Sequence, residues 1–137
     1  MSRWMAFDYG KKRTGISVTD PERIIATGLT TIETKNLIEF IKRYLLTEKV
    51  VLFVLGRTLH LDGTENDLMK DIRAFEKELI RNFPDIKIDY EDERFTSKMA
   101  MKSLIESNVP KKKRRNKALL DEVSATLILQ SYMRSNE

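Results

Sequence analysis

Cysteine is absent from this chain and histidine occurs once, at His60. These two scarcities exclude disulfides, thiolate nucleophiles, sulfur-bound structural zinc and histidine-rich metal centres. Any metal must therefore be held by oxygen. Long apolar runs are also missing: nothing approaches the roughly 20 residues that span a bilayer, and the N-terminus lacks the apolar segment and cleavage site of a secretory signal. A cytoplasmic protein is expected. Glycine and proline are few, with 5 and 3 occurrences, so the chain is punctuated at a handful of places and should be ordered over most of its length.

What is present is charge. Of 137 residues, 34% are charged and 41% hydrophobic, which suits one globular domain over residues 1–137 with a highly charged surface. The formal charge is +4 from 25 basic and 21 acidic residues, yet six of the basic ones fall in Lys111–Lys117. Subtracting them leaves 19 positive against 21 negative groups, so the basicity is local. A concentrated positive segment on a slightly acidic body points to a polyanion.

The stretch WMAFDYGKKRTGISVTD, from Trp4 to Asp20, organises the reading. Trp4–Phe7 predicts a strand entering the core, and Asp8 places a carboxylate at its end. Tyr9 and Gly10 turn the chain, Lys11, Lys12 and Arg13 form a basic tip, and Gly15–Thr19 returns as a second strand. Asp before Gly is also a common turn residue that bonds its local backbone. A strand-end Asp with such a turn suits two phosphate chemistries as well: holding a divalent metal, or flanking nucleotide phosphates as in actin-like or sugar-kinase-like ATPases. One domain of this length leaves no second lobe to clasp a nucleotide.

Beyond the hairpin, Ile24–Thr31 predicts a third strand, and three strands with short links should pair antiparallel. Thr34 is placed to cap a helix reaching about Glu48, with Leu37, Ile41, Tyr44 and Leu45 on one face. Val50–Leu55 is a continuous apolar run, expected as a central strand covered on both faces. Gly56 ends it, and Arg57–Gly63 forms a loop where α/β sheets tend to bind ligands; His60 in that loop reads as a surface residue. Thr64 and Asp67 form a capping-box pattern ahead of Leu68, Ile72, Phe75 and Leu79, the clearest amphipathic helix. Ile86–Tyr90 gives a fifth strand, followed at once by Asp92, Glu93 and Arg94, then by a helix containing Met99, Ala100 and Leu104.

Lys111–Lys117, comprising Lys111, Lys112, Lys113, Arg114, Arg115, Asn116 and Lys117, reads either as a solvated loop or as a set of phosphate contacts. The closing helix, about Lys117–Arg134, is apolar on nearly every side and expected to be largely buried. Asp121 falls on its face with Ala125, Ile128 and Tyr132. An acid near a helix N-terminus is favourable by about 0.3–1 kcal/mol, but burying it against a sheet calls for a counterion. Asp8, Glu93 and Asp121 thus converge at one edge of a single sheet in this reading, with Mg²⁺ or Mn²⁺ as the natural cation for an all-oxygen site.

Four stretches in order, FDYGKKRTGISVTD, DGTE at Asp62–Glu65, DERFTS at Asp92–Ser97 and LDEVSATLILQSYM at Leu120–Met133, resemble the YqgF/RuvX family over essentially the whole chain. The resemblance implies an α/β, ribonuclease-H-like fold: a five-stranded mixed sheet, three antiparallel strands then two parallel, flanked by helices. It further implies a nuclease trimming the 5′ end of the 16S ribosomal RNA precursor, with a divalent metal on acids matching Asp8, Glu93 and Asp121. Holliday-junction resolution is the older proposal for the family. Members commonly carry a Gly-Leu-Pro or Gly-Glu-Pro turn where this chain reads Gly56-Arg57-Thr58, and resolvase relatives place an acid on the central strand, where it has Leu55 and Gly56. Asp92 or Glu93 must substitute, and Glu93 is the assignment. Lys11, Lys12, Arg13, Arg57, Arg94 and the basic run supply nucleic-acid contacts in this reading. The competing class is a non-catalytic nucleic-acid-binding module whose acids serve only structure.

Overall fold

The computed structural model describes residues 2–60, 62–93 and 117–136. Five strands form one sheet: β1 (Arg3–Asp8), β2 (Arg13–Thr19), β3 (Ala26–Glu33), β4 (Val50–Arg57) and β5 (Lys87–Asp92). Among the described residues the α-helices are α1 (Leu37–Tyr44), α2 (Met69–Asn82) and α3 (Lys117–Ser135). The strand order is β3-β2-β1-β4-β5. β1 pairs antiparallel with β2, and β2 with β3, while β1–β4 and β4–β5 are parallel. The expected mixture of three antiparallel strands and two parallel ones is therefore present. β1, not the run Val50–Leu55, occupies the middle of the sheet; β4 lies beside it and is covered on both faces all the same.

Alternation along the strands divides the core in two. Met5 and Phe7 of β1, Ile16 and Val18 of β2, and Phe53 and Leu55 of β4 face α1 and α2, packing on Leu37, Ile41, Ile72, Phe75 and Leu79. Ala6, Leu52 and Val54 point the other way, onto Ile128, Leu129 and Tyr132 of α3. Burying a side chain of this kind contributes roughly 1.5–3 kcal/mol, so each face specifies its register strongly.

The α3 face is built from small residues, and this sets how closely the helix approaches. A Cβ at Gly15 would collide with the Asp121 carbonyl and lie 3.0 Å from the Glu122 nitrogen, and one at Gly28 would lie 2.7 Å from Glu122 Cγ. Ser17 Oγ donates to the Ala125 carbonyl at 2.7 Å and Thr31 Oγ1 to the Ala118 carbonyl at 2.6 Å. These bonds pin the first turns of α3 over β2 and β3. Ala125, Ile128, Leu129 and Tyr132 are buried, whereas Leu119, Leu120, Val123 and Leu127 are half-buried, so burial is one-sided among the described residues.

Several boundaries differ from expectation for local reasons. Strand β3 starts at Ala26, because Asp20 Oδ1 captures the amides of Ile24 (2.6 Å) and Ile25 (2.7 Å) in a turn that leaves both isoleucines exposed. Thr34 caps nothing: its hydroxyl donates to the Gly10 carbonyl at 2.6 Å, and residues Thr34–Asn36 form a 3₁₀ turn ahead of α1. α1 ends at Tyr44, short of Glu48. The capping box also fails, since Thr64 bonds Asp62 through both its amide (2.9 Å) and its hydroxyl (2.7 Å), and α2 begins only at Met69. The helix expected after Ser97 lies outside the described residues.

Candidate functional site

Asp8 ends β1 on the α3 side of the sheet, and the backbone brings a glycine alongside it in each neighbouring strand. Asp8 is the register partner of Gly15 in β2, and the parallel pairing of Phe7 with Leu55 brings Gly56 of β4 next to it. Each glycine makes room for another acid. The Asp121 backbone rests where a Gly15 Cβ would stand, and the Glu93 carboxyl rests where a Gly56 Cβ would stand. That same Cβ would come within 2.8 Å of Ile128 Cδ1. Two glycines thus flank the middle acid, and the other two acids sit over them.

Glu93 leaves the sheet just after β5, where its amide donates to the Arg57 carbonyl at 3.2 Å. Its Oε2 has essentially no solvent-accessible surface, and its carboxyl is hydrogen-bonded to that of Asp8. Asp92 is exposed, so of the two adjacent acids Glu93 is the one turned to Asp8. Burial, then the charge of Asp121, holds Asp8 well above the usual carboxylate range, and the hydrogen bond with Glu93 partly offsets this. Burial, then the Asp8 charge and the same hydrogen bond, then Asp92, pushes Glu93 up as well. Two carboxyls brought together away from water raise each other, because both cannot ionise cheaply.

Asp121 acts on Asp8 through space, and its own Oδ2 accepts from Arg13 Nε at 3.1 Å. Arg13, expected as a nucleic-acid contact, is therefore engaged with a site carboxylate. Lys11 and Lys12 are exposed at the tip of the β1–β2 hairpin, with Lys11 Nζ 3.7 Å from Asp71. Arg57 projects from the end of β4 and lies 3.7 Å from Glu65, which also pairs with Arg73. Glu65 of the DGTE stretch therefore tethers two arginines. His60 is exposed in that loop. Arg94, Lys111, Lys112, Lys113, Arg114 and Arg115 lie outside the described residues, and Lys117 is described only as the first residue of α3.

Sequence reasoning missed Gly15 and Gly56 as parts of the site. The available signal was a glycine inside each strand pattern, which marks a place where another group approaches closely. All three acids are oxygen donors, suited to a hard divalent cation. Among the described residues, however, no cluster of three or more Asp, Glu, His or Cys is arranged to hold a metal. Asp8 and Glu93 are the converging pair, with Asp121 turned to Arg13.

Residues 2–135 match the family described as RuvX: Holliday junction resolvase. The chain belongs to the RuvX family. RuvX relatives match along nearly their full length. A protein of Porphyromonas gingivalis named "Putative pre-16S rRNA nuclease" is 50% identical over 133 residues, covering 97% of this chain and 96% of its own. Proteins of the same name from Christiangramia forsetii and Phocaeicola vulgatus are 47% and 46% identical, over 97% and 100% of this chain and 98% and 99% of theirs. Among solved structures, the fowlpox virus resolvase in complex with Holliday junction DNA aligns over 98% of both chains with a TM-score of 0.58 at 14% identity. A second structure of that resolvase gives 0.55 at 16% identity, over 97% of this chain and 99% of that one. The RuvX chain thus shares the ribonuclease-H-like resolvase fold. Among the described residues, no helix is long and apolar enough to cross a membrane.

Proposed function

We propose that this protein is a metal-dependent nuclease that hydrolyses RNA phosphodiester bonds, acts on the 5′ end of the 16S ribosomal RNA precursor, and works in the cytoplasm. The observation that carries the reading is the row of carboxylates at the sheet edge, where Asp8 and Glu93 share a buried hydrogen bond beside the charge of Asp121. A buried acid pair of this kind costs stability and has no packing role that an apolar pair would not fill better. The relatives' name supplies the substrate.

The donor set fits Mg²⁺ or Mn²⁺, which bind through one or two carboxylates and complete their shells with water and phosphate oxygens. Asp8 and Glu93 would hold the ion in competition with protons, since both are raised, and Asp121 would add its charge. When bound, such an ion supplies an activated water and charge neutralisation at the leaving oxygen. The chain's own part begins with positioning: Gly56 leaves the space that Glu93 fills, and the Ser17 bond to Ala125 fixes the turn carrying Asp121. Arg13, half-exposed beside Asp121, can release that carboxylate and turn its guanidinium to a phosphate. Lys11 and Lys12 add positive potential along the strand's path.

Purified protein incubated with precursor ribosomal RNA and with a four-way DNA junction, each with and without Mn²⁺, tests the proposal. Cleavage of the RNA only with metal is expected. The junction arm answers the family description; cleavage of the junction alone would transfer the activity to DNA, and no cleavage of either would leave a binding module.

A further inference from the structure

We infer that the cleft between α1 and α2 receives an unpaired base of the RNA strand whose phosphodiester lies at Asp8. The inference rests on the nuclease reading and adds a subsite to it. Tyr9 follows Asp8 directly and points to the opposite side of the sheet, where its ring stacks on Phe75 with centroids 5.3 Å apart and planes at 30°. These rings line a cavity of about 330 Å³ that Thr34, Ile38, Ala74 and Glu78 also border. That volume sits at the small end of ligand pockets, about 300–1,000 Å³, with room for one base.

Charge leads from the acids to this cleft. A second hollow of about 380 Å³ adjoins it, lined by Lys11, Lys12, Arg13, Glu33 and Lys35. Lys11 and Lys35 line both cavities, and Arg13 reaches Asp121, so one basic surface runs from the site to the aromatic cleft. Four cations against the single Glu33 suit a phosphate backbone; Lys35 lies 3.2 Å from Glu33 and Lys11 3.7 Å from Asp71. Inside the cleft Asp71 and Glu78 stand against Lys11 and Lys35, so the excess of positive charge ends there. Asp71 and Glu78 repel phosphate but accept from the exocyclic amines of adenine, guanine and cytosine, which uracil lacks. Aromatic stacking with lysines at the rim is how single-stranded nucleic acid is commonly held.

The test uses short single-stranded oligoribonucleotides carrying 2-aminopurine at successive positions, whose fluorescence is quenched when the base stacks on an aromatic ring. With the full chain in Ca²⁺, one position near the scissile phosphate is expected to be quenched. Tyr9→Leu should abolish that quenching and weaken binding on the order of ten-fold, while Tyr9→Phe should retain both. Ala74→Met, at an exposed helix position that borders the cavity, should block the cleft without altering Tyr9. An all-uridine strand should bind more weakly than an all-adenosine one. Binding in Ca²⁺, and cleavage once Mn²⁺ replaces it, that persist with quenching unchanged in both Tyr9→Leu and Ala74→Met would overturn the base site alone. Failure of the wild type to bind or cleave any strand would overturn the nuclease reading, and with it the subsite.

Discussion

Asp8→Asn should make the metal-free protein more stable while destroying its activity, and the size of the gain should depend on pH. In the folded chain Asp8 and Glu93 are held above the ordinary carboxylate range, chiefly by burial and then by their own and neighbouring negative charge. A carboxyl whose folded value is raised favours folding below its unfolded value, near 4, and progressively loses that contribution as pH rises through the folded value. The wild type in EDTA should therefore lose stability from about pH 4 into the alkaline range. Asparagine keeps the shape and can still hydrogen-bond, but it removes one like charge. Each unit by which folding raises a carboxyl costs about 1.4 kcal/mol once the pH is above the folded value, and neutralising Asp8 removes that cost together with its repulsion of Glu93. We expect about 1–3 kcal/mol at pH 8, shrinking toward zero near pH 4. At roughly 3–5 °C per kcal/mol for a chain of this size, the melting temperature should rise by several degrees at pH 8. Urea unfolding of both proteins in EDTA across this range is the assay. An Asp8→Asn protein less stable than wild type at pH 8 would refute the reasoning, because it would mean that the Asp8 charge is compensated in the folded state.

Other perturbations act on the same arrangement. Gly56→Ala places a Cβ against Glu93 and Ile128, so Mn²⁺ affinity measured by calorimetry should fall about 10–100-fold, the usual effect of disturbing a ligand's support; unchanged affinity would mean that Glu93 does not need that space. Mn²⁺ affinity of the wild type should itself fall as pH drops from 8 to 6, because ligation must compete with protons for the raised carboxyls of Asp8 and Glu93, and a flat profile over that range would contradict their being raised. Arg13→Gln should change stability by no more than about 1 kcal/mol, since the pair with Asp121 is partly exposed, yet weaken RNA binding and reduce its salt slope by about one contact. Neutralising Lys111 to Arg115 should flatten that slope by several contacts in a filter-binding titration; the same slope before and after would assign the run to solvent.

Much of the architecture was legible because periodicity reports burial directly. The apolar runs of β1 and β4 reflect two covered faces, the alternation of Ile16 and Val18 with small residues in β2 reflects an apolar face toward α1 and α2 and a close approach of α3 on the other, and the spacing of Ile72, Phe75 and Leu79 reflects one helix stripe. The positions of Asp8 and Asp121 followed from the same logic, as charges interrupting apolar patterns. What stayed hidden depended on competition between local partners. Thr64 had a helix to cap and an Asp62 two residues away, and the nearer acid won. Thr34 was drawn off by the Gly10 carbonyl, a contact 24 residues distant in sequence. The engagement of Arg13 with Asp121, 108 residues apart, is set by how closely Gly15 lets α3 approach, a property of packing that no sequence window contains. Glu93 was singled out over Asp92 on resemblance; its orientation comes from the vacancy above Gly56.

The most direct test of the central claim is calorimetric titration of Mn²⁺ into the wild type and into Asp121→Asn, each with a non-cleavable phosphodiester strand present. A site assembled from Asp8, Glu93 and Asp121 predicts saturable binding to the wild type and markedly weaker binding to the variant. Absence of metal binding by either protein, or equal binding by both, would contradict it.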